Sequence, residues 1–149
     1  MASKFKAQIN QFADLTEKAM TRVVVAALQE LLSYITTSAP GVTAGGTLIE
    51  GRFPVVSSDL IRSLVVELNG SQAGAGEGAQ TVALANYELG AVIRFVWTSE
   101  YALRVELGFD AEDKLGRKYQ QPGWLMVTKN KPRWETIVAK HATIEGAML

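Results

Sequence analysis

The segment from Ala91 to Val127, AVIRFVWTSEYALRVELGFDAEDKLGRKYQQPGWLMV, places a long polar stretch between apolar runs. Its first part, Ala91–Trp97, is rich in β-branched and aromatic residues and is too short for a free-standing helix, which predicts a buried strand. Thr98 or Ser99 is then expected to cap a short helix that Gly108 ends. The apolar face of this helix is predicted to consist of Tyr101, Ala102, Val105 and Leu107.

The second part of the segment predicts a loop followed by a helix. Residues Asp110–Gln121 are largely polar or charged and show no apolar periodicity, and Pro122 and Gly123 then break the chain before the apolar run Trp124–Val127. The order of strand, short helix, polar loop and second helix is typical of a scaffold that presents a loop. It does not indicate a catalytic cleft.

The N-terminal part of the chain predicts one long amphipathic helix from Phe5 to about Thr36, ended by Ala39-Pro40-Gly41. Apolar residues recur there at three- and four-residue steps, which places them on one stripe. At 1.5 Å per residue the helix would be about 45 Å long, so we expect it to lie across a sheet or to project towards a neighbouring molecule. The stripe consists of Phe5, Ile9, Phe12, Leu15, Ala19, Val23, Ala27, Leu31 and Tyr34 or Ile35.

The middle of the chain predicts antiparallel strands joined by hairpin-like loops. Ser57-Ser58-Asp59 is a candidate N-cap for a turn of helix, and Leu60–Leu68 should include a strand. Thr81–Leu84 is expected to form another strand, whereas Ser71–Gln80 contains almost only Ser, Ala, Gly and Gln and predicts a mobile loop tip. A flexible hairpin tip is also the favoured reading of the glycine-rich part of that stretch, since it lacks the spacing of a phosphate-binding loop.

The fold class that follows is α+β, with residues 1–149 forming a single domain. We expect the long N-terminal helix to pack on a small antiparallel sheet of three or four strands, together with short helices and a C-terminal helix. Pro132 can start this last helix because its missing amide is harmless in a first turn. The apolar face of the helix is predicted to consist of Trp134, Ile137, Val138 and His141 or Ala142.

Composition narrows the choice of partners and compartment. The formal net charge is zero, so bulk electrostatics implies neither a nucleic-acid partner nor a membrane partner. The chain has no cysteine, which excludes disulfides and thiolate-bound metals. It shows neither the apolar core of a signal peptide nor a run of roughly 20 apolar residues, so we expect folding in a cytoplasm. The charge is unevenly distributed, since the chain from Lys114 onward is basic and the preceding part is acidic. This asymmetry can guide the packing of one subunit against the next, although solvated surface charge is the commoner explanation.

Few residues suggest catalysis or metal binding. His141 is the only histidine, and Glu145 is the only carboxylate at helical spacing from it, which indicates an ordinary surface contact. Asp110, Glu112 and Asp113 could attract a hard cation, but they lack the EF-hand spacing and are interpreted as a solvated acidic turn. We therefore expect no enzyme activity, no cofactor and no metal.

Three motifs resemble the neck and tail-completion (head–tail joining) family of long-tailed bacteriophages. The first is Ser57–Ser63, which matches the family's Thr-Gly-x-Leu-x-x-Ser element with Ser58 in place of the glycine. The second is Tyr101–Gly108, which matches an aromatic-Ala-x-x-aliphatic-Glu-aromatic-Gly element with Leu107 in place of the second aromatic residue. The third is Gln121–Leu125, and a later proline begins the closing helix in the family as Pro132 is predicted to do here. Together these elements span about half of the chain.

The resemblance implies a structural virion protein that assembles as a six-fold ring between the head connector and the tail tube. Its partners would be copies of itself, the connector or adaptor proteins and the tail tube or terminator protein, while DNA only passes through the lumen. It would reside in the virion and assemble in the cytoplasm of the host bacterium. Candidate interface residues are Tyr101, Glu106, Lys114, Arg117, Lys118 and Trp124.

These candidates differ in the reason for choosing them. Large aromatic residues are more often core than recognition residues, but Tyr101 and Trp124 flank the polar loop and are the aromatic residues that we expect to touch a partner. We expect the basic cluster of Lys114, Arg117 and Lys118 to face a protein neighbour and not to line the channel.

Other functions stay open at this stage. A tail terminator that caps the tail tube is hard to separate from a completion protein. A non-viral adaptor that binds a peptide or subunit through its loops would be favoured by a stable monomer in solution. A small hydrolase or nucleotide binder would require turnover that is lost in His141→Ala.

Overall fold

The computed structural model describes residues 2–149 and has an α+β fold, as the sequence predicts. A long N-terminal helix is followed by short strands and helices and then by a C-terminal helix. The helices are α1 (Ala2–Ile35), α2 (Asp59–Arg62), α3 (Ala79–Ala85), α4 (Ala102–Leu107) and α5 (Trp134–Met148), and the strands are β1 (Ser38–Pro40), β2 (Phe53–Val55), β3 (Leu64–Leu68), β4 (Ser71–Ala75), β5 (Ile93–Trp97), β6 (Gly108–Glu112) and β7 (Lys118–Pro122).

Helix α1 packs chiefly along α5, in the antiparallel direction. The Arg22 Nε donates to Glu145 Oε2 at 2.9 Å near the end of α5, and the Arg133 guanidinium lies 4.4 Å from the centre of the Tyr34 ring at its start. Between these contacts the Glu30 carboxylate binds Lys140 and His141. The pair of helices is therefore joined at three levels along its length.

The main sheet has three antiparallel strands in the order β4-β3-β5. Strands β3 and β4 are joined by Asn69 and Gly70, both at positive φ, as in the tight hairpin turns that Asn-Gly favours. Helix α3 lies on this sheet, and α1 contacts α3. The core of this unit is formed by Leu64, Val66, Ala79 and Ala83.

Two predictions for the middle of the chain are wrong. Thr81–Leu84 belongs to α3 and not to a strand, because Ala79 and Ala83 are one helical turn apart and pack together against β3. Ser71–Ala75 is the edge strand β4 and not a mobile tip, because its backbone pairs with β3 although its side chains are small. A Cβ on Gly74 would lie 2.6 Å from the Ala79 carbonyl oxygen, so glycine permits this close approach.

The polar stretch after α4 forms the antiparallel hairpin β6–β7, so the prediction of a structureless loop is also wrong. Both faces of this hairpin are largely exposed, which leaves no alternation of apolar and polar side chains in the sequence. A further pairing, the parallel contact between β1 and β2, has no counterpart in the predictions.

A second core cluster joins the β1–β2 region to the chain after the hairpin. It contains Phe53, Leu60 and Met126, and the Trp97 ring packs 5.9 Å from that of Phe53. The expected helix at Trp124–Val127 is absent, because Leu125 has φ +51° and the chain turns before the 3-10 turn Lys131–Arg133 that precedes α5. Pro132 lies in that first turn, as predicted. Among residues 2–149, no helix combines the length and the hydropathy that a bilayer crossing requires.

Candidate interaction site

All three motif segments meet at one cleft, which we call the Tyr101 cleft. Its volume is about 320 Å³, and its surface is mainly apolar. Pro54 and the segment Val56–Leu60 form one wall, and Tyr101 and Val105 form another. The remaining lining residues are Gly41, Val42, Thr43, Gln121 and Trp124.

The first motif enters α2 through a left-handed residue. Ser58 has φ +65° and makes no side-chain capping bond, so the predicted side-chain N-cap is not formed. The Ser57 hydroxyl instead donates to Asp59 Oδ2 at 2.7 Å. Residues other than glycine adopt this left-handed conformation at a free-energy cost of roughly 1–2 kcal/mol, and the family pattern has glycine at this position.

The second and third motifs are joined through their backbones. The Trp124 N–H donates to the Val105 carbonyl oxygen at 2.8 Å. A Cβ on Gly123 would lie 2.2 Å from the carbonyl oxygen of Glu106, and a Cβ on Gly108 would lie 2.4 Å from that of Gln121. Glycine at these two positions therefore lets the end of α4 lie directly against the chain that leaves β7.

Helix α4 itself begins differently from the prediction. Tyr101 precedes its first residue and no side chain caps it; the Ser99 carbonyl oxygen accepts from the Ala102 N–H at 3.0 Å. Gly108 follows the last helical residue at φ +79°, which agrees with the predicted stop.

Two of the six interface candidates have structural roles. Trp124 is only 1% exposed, because it packs inside the cleft wall, and so it cannot contact a partner in this conformation. The Glu106 carboxylate accepts from the N–H groups of Val127 and Thr128 at 3.1 and 2.8 Å and from the Thr128 hydroxyl at 2.7 Å. It therefore holds the turn after Trp124 against α4 and is not free for an ion pair with a neighbour.

Tyr101 is placed as the sequence suggests. Its side chain lies at the wall of the cleft and is 39% exposed, so it is accessible to a partner. Val42 and Val56, which also line the cleft, are exposed as well. The sequence does not reveal these two valines as surface residues, because the exposure of an apolar side chain depends on tertiary packing.

The basic candidates lie at the tip of the hairpin, where they are mixed with acidic residues. Lys114 and Lys118 are exposed, whereas Arg117 Nε donates to Asp113 Oδ2 at 2.6 Å. The backbone N–H of Arg117 also donates to Asp113, and this bond is the main reason why the pKa of Asp113 lies below its usual value. The hairpin thus presents charges of both signs and not a uniform basic patch.

The N-terminal half of α1 carries a stripe of exposed apolar side chains. We call residues 3–18 the overhang, because every side chain there is exposed except the half-buried Thr16. Phe5, Ile9, Phe12 and Leu15 are 65%, 51%, 65% and 48% exposed. Phe12 precedes Glu30 by five helical turns and therefore faces the same direction as the side chains that contact α5.

Within residues 2–149, helix α5 does not extend along the overhang. Arg22 contacts Glu145, and α5 ends at Met148, so its last turn lies near Ala19. Ala19 is buried, whereas residues 3–18 are exposed except for the half-buried Thr16 among the residues that the structure describes. The expected contact between His141 and Glu145 is not formed, since each pairs with α1 instead: His141 with Glu30 at 2.7 Å and Glu145 with Arg22.

Comparisons of the chain with protein-family models, with curated proteins and with solved structures gave no match. Within residues 2–149, no group of three or more His, Asp or Glu side chains is placed to hold a metal ion. The features available for functional inference are therefore the Tyr101 cleft, the hairpin and the overhang.

Proposed function

We propose that the protein is a structural subunit of a long-tailed bacteriophage that assembles as a ring at the neck and joins the head connector to the tail tube. The observation that carries this proposal is the overhang, whose apolar side chains have no cover within residues 2–149. Burial of apolar side chains is the main favourable term in protein association. A subunit with such a surface is stabilised by a protein neighbour.

The size of the overhang supports a protein partner. Residues 3–18 extend over roughly 24 Å at 1.5 Å per residue. Two Phe side chains dominate it, and aromatic residues are enriched at the centres of protein interfaces. Exposed contiguous apolar surface of this kind marks a protein or membrane interaction site, and the formal net charge of zero does not favour an anionic membrane.

The cleft supports the same class of function. The three motifs of the neck family come together around it, and Ser58 takes the backbone conformation that suits the glycine of the family pattern. The hairpin adds a second projection, with Lys114 and Lys118 facing solvent. We place these two lysines against a protein neighbour, whereas Arg117 is already paired with Asp113.

The direct test is the position of the protein in the virion. Antibodies against the purified protein should label the junction of head and tail in intact particles of the phage that encodes it. Tails made in the absence of the protein should carry no label and should fail to join filled heads, and added purified protein should restore joining. Label on the capsid or on the distal tail, or normal joining without the protein, would contradict the proposal.

The same experiment separates a completion protein from a tail terminator, which is the second candidate within this class. A terminator stops growth of the tail tube, so its loss gives tails of irregular and excessive length. A completion protein is added to finished tails, so its loss leaves tail length unchanged. We expect tails of normal length.

A further inference from the structure

We propose that the overhang of one subunit docks in the Tyr101 cleft of the next copy of the same chain. This inference rests on the proposed ring and names the contact that builds it. Phe5 and Phe12 would supply the inserted rings, and the exposed side chains of Val42, Val56 and Tyr101 would surround them.

The two surfaces match in size and polarity. The cleft measures about 320 Å³ and is lined mainly by apolar atoms. This volume is at the low end of the range of roughly 300–1,000 Å³ for ligand pockets, so it suits a few side chains of a helix and not a whole domain. The overhang presents its apolar side chains singly, at helical spacing, as such a cleft requires.

The charges around the two surfaces are also complementary. Lys4 and Lys6 are the only charged side chains before Asp14. Asp59 lines the cleft, and the exposed Glu100 immediately precedes Tyr101. Within residues 2–149, none of these four side chains takes part in an ion pair. A neighbour that brings the lysines to the acidic rim therefore adds attraction without breaking an internal pair.

A single molecule cannot make this contact with itself. Phe5 lies about 45 Å from Ile35 along a straight helix, and the six residues from Ile35 to Gly41 of the cleft can span at most roughly 22 Å. Phe5 is thus more than roughly 20 Å from Gly41 of its own cleft by these geometric limits. Two different surfaces that meet between copies form a head-to-tail interface, which gives rings when the rotation closes.

The test uses two variants that each lose one side of the contact. The overhang variant is Phe5→Ser with Phe12→Ser, and the cleft variant is Val56→Asp with Tyr101→Ala. All four positions are exposed in the free subunit, so circular dichroism and thermal unfolding of each variant at low concentration should match the parent protein. The control is Val92→Ser, which removes an exposed apolar side chain that does not line the cleft.

Sedimentation velocity should show that the parent protein and the Val92→Ser control assemble, while each double variant alone stays monomeric or dissociates at least tenfold more readily. An equimolar mixture of the two variants should form one-to-one dimers and nothing larger, because only one intact contact can form in each pair. Charge exchange gives a second readout: Asp59→Lys should weaken assembly, and Lys4→Glu with Lys6→Glu in the same chain should restore it at least in part.

Other outcomes would overturn the inference in distinct ways. Pairing of overhang with overhang would let the cleft variant dimerise alone and leave the mixture without a new species. Docking of the overhang on a different virion protein would leave the parent protein monomeric at every concentration. Neither result would remove label from the head–tail junction, so failure of this contact is distinguishable from failure of the proposed function.

Discussion

The two halves of helix α1 have the same apolar periodicity but very different surroundings. In the C-terminal half, Ala27, Leu32 and Ile35 are buried and Glu30 binds two side chains of α5. In the N-terminal half, the equivalent apolar side chains are exposed. Periodicity thus shows that a helix has a face to bury, and only the tertiary structure shows whether the same chain buries it.

The difference follows from how far α5 extends along α1 within residues 2–149. In this part of the chain α5 has 15 residues, whereas α1 has 34, so α5 covers less than half of α1 there. The overhang continues the helix of the anchored half without a break. A neighbouring molecule that covers it would complete the packing that α5 begins.

The largest effect that separates the two halves is expected from matched truncations of leucine. Leu32→Ala removes a buried side chain and should lower the free energy of unfolding by about 2–5 kcal/mol. Leu15→Ala, in the overhang, should change it by less than about 0.5 kcal/mol in the monomer. Urea unfolding at low protein concentration measures both values. Equal losses in the two variants would show that the overhang is packed within the subunit.

A smaller effect tests the surface that the overhang is proposed to meet. Ser58→Gly should raise the free energy of unfolding by up to about 1 kcal/mol, because it relieves a left-handed serine at φ +65°. Ser57→Gly is the matched control and should be destabilising, since it removes the hydroxyl that donates to Asp59. Thermal unfolding distinguishes the two outcomes. A loss of stability in Ser58→Gly would mean that its backbone is not strained.

The smallest effect concerns the ion pairs that anchor α1. Hydrogen bonds from Lys140 and then from His141 hold the pKa of Glu30 below its usual value. A carboxylate with a lowered pKa in the folded state stabilises that state above the ordinary glutamate pKa of about 4.3, and the contribution is lost as the pH falls through the lower folded value. Glu30→Gln should therefore be slightly less stable than the parent protein at pH 7.

The pH dependence provides the check on this last prediction. The stability difference between Glu30→Gln and the parent protein should shrink as the pH falls below the ordinary glutamate range. Glu17→Gln is the control in the overhang. It should not change the free energy of unfolding at pH 7 or below the ordinary glutamate range, because Glu17 takes part in no ion pair within residues 2–149. A difference that stays constant with pH would exclude the carboxylate as its source.

Much of the fold could be predicted because several segments carry strong local signals. Helix α1 has a long regular stripe, and β5 is a short apolar run. Pro132 marks the start of the last helix. Each of these features depends on residues close in sequence, which is why sequence reasoning found them.

The segments that were predicted wrongly are set by distant contacts. Helix α3 contains Thr81 and Val82, which favour strands, but burial of Ala79 and Ala83 on the sheet decides its conformation. Strand β4 is held by backbone pairing to β3 and has no apolar pattern to reveal it. Trp124 is an interface candidate because it flanks the polar loop in the sequence. The roles of Trp124 and Glu106 in holding the cleft together depend on partners that the sequence does not identify.

The most direct test of a ring-forming neck subunit is the mass and symmetry of the purified protein, measured by light scattering and negative-stain averaging with and without phage tails. We predict a closed ring of identical subunits, six-fold by resemblance to the neck family, that is present in solution and at the head-proximal end of the tails. A protein that stays monomeric in solution and leaves tails and connectors undecorated would contradict it.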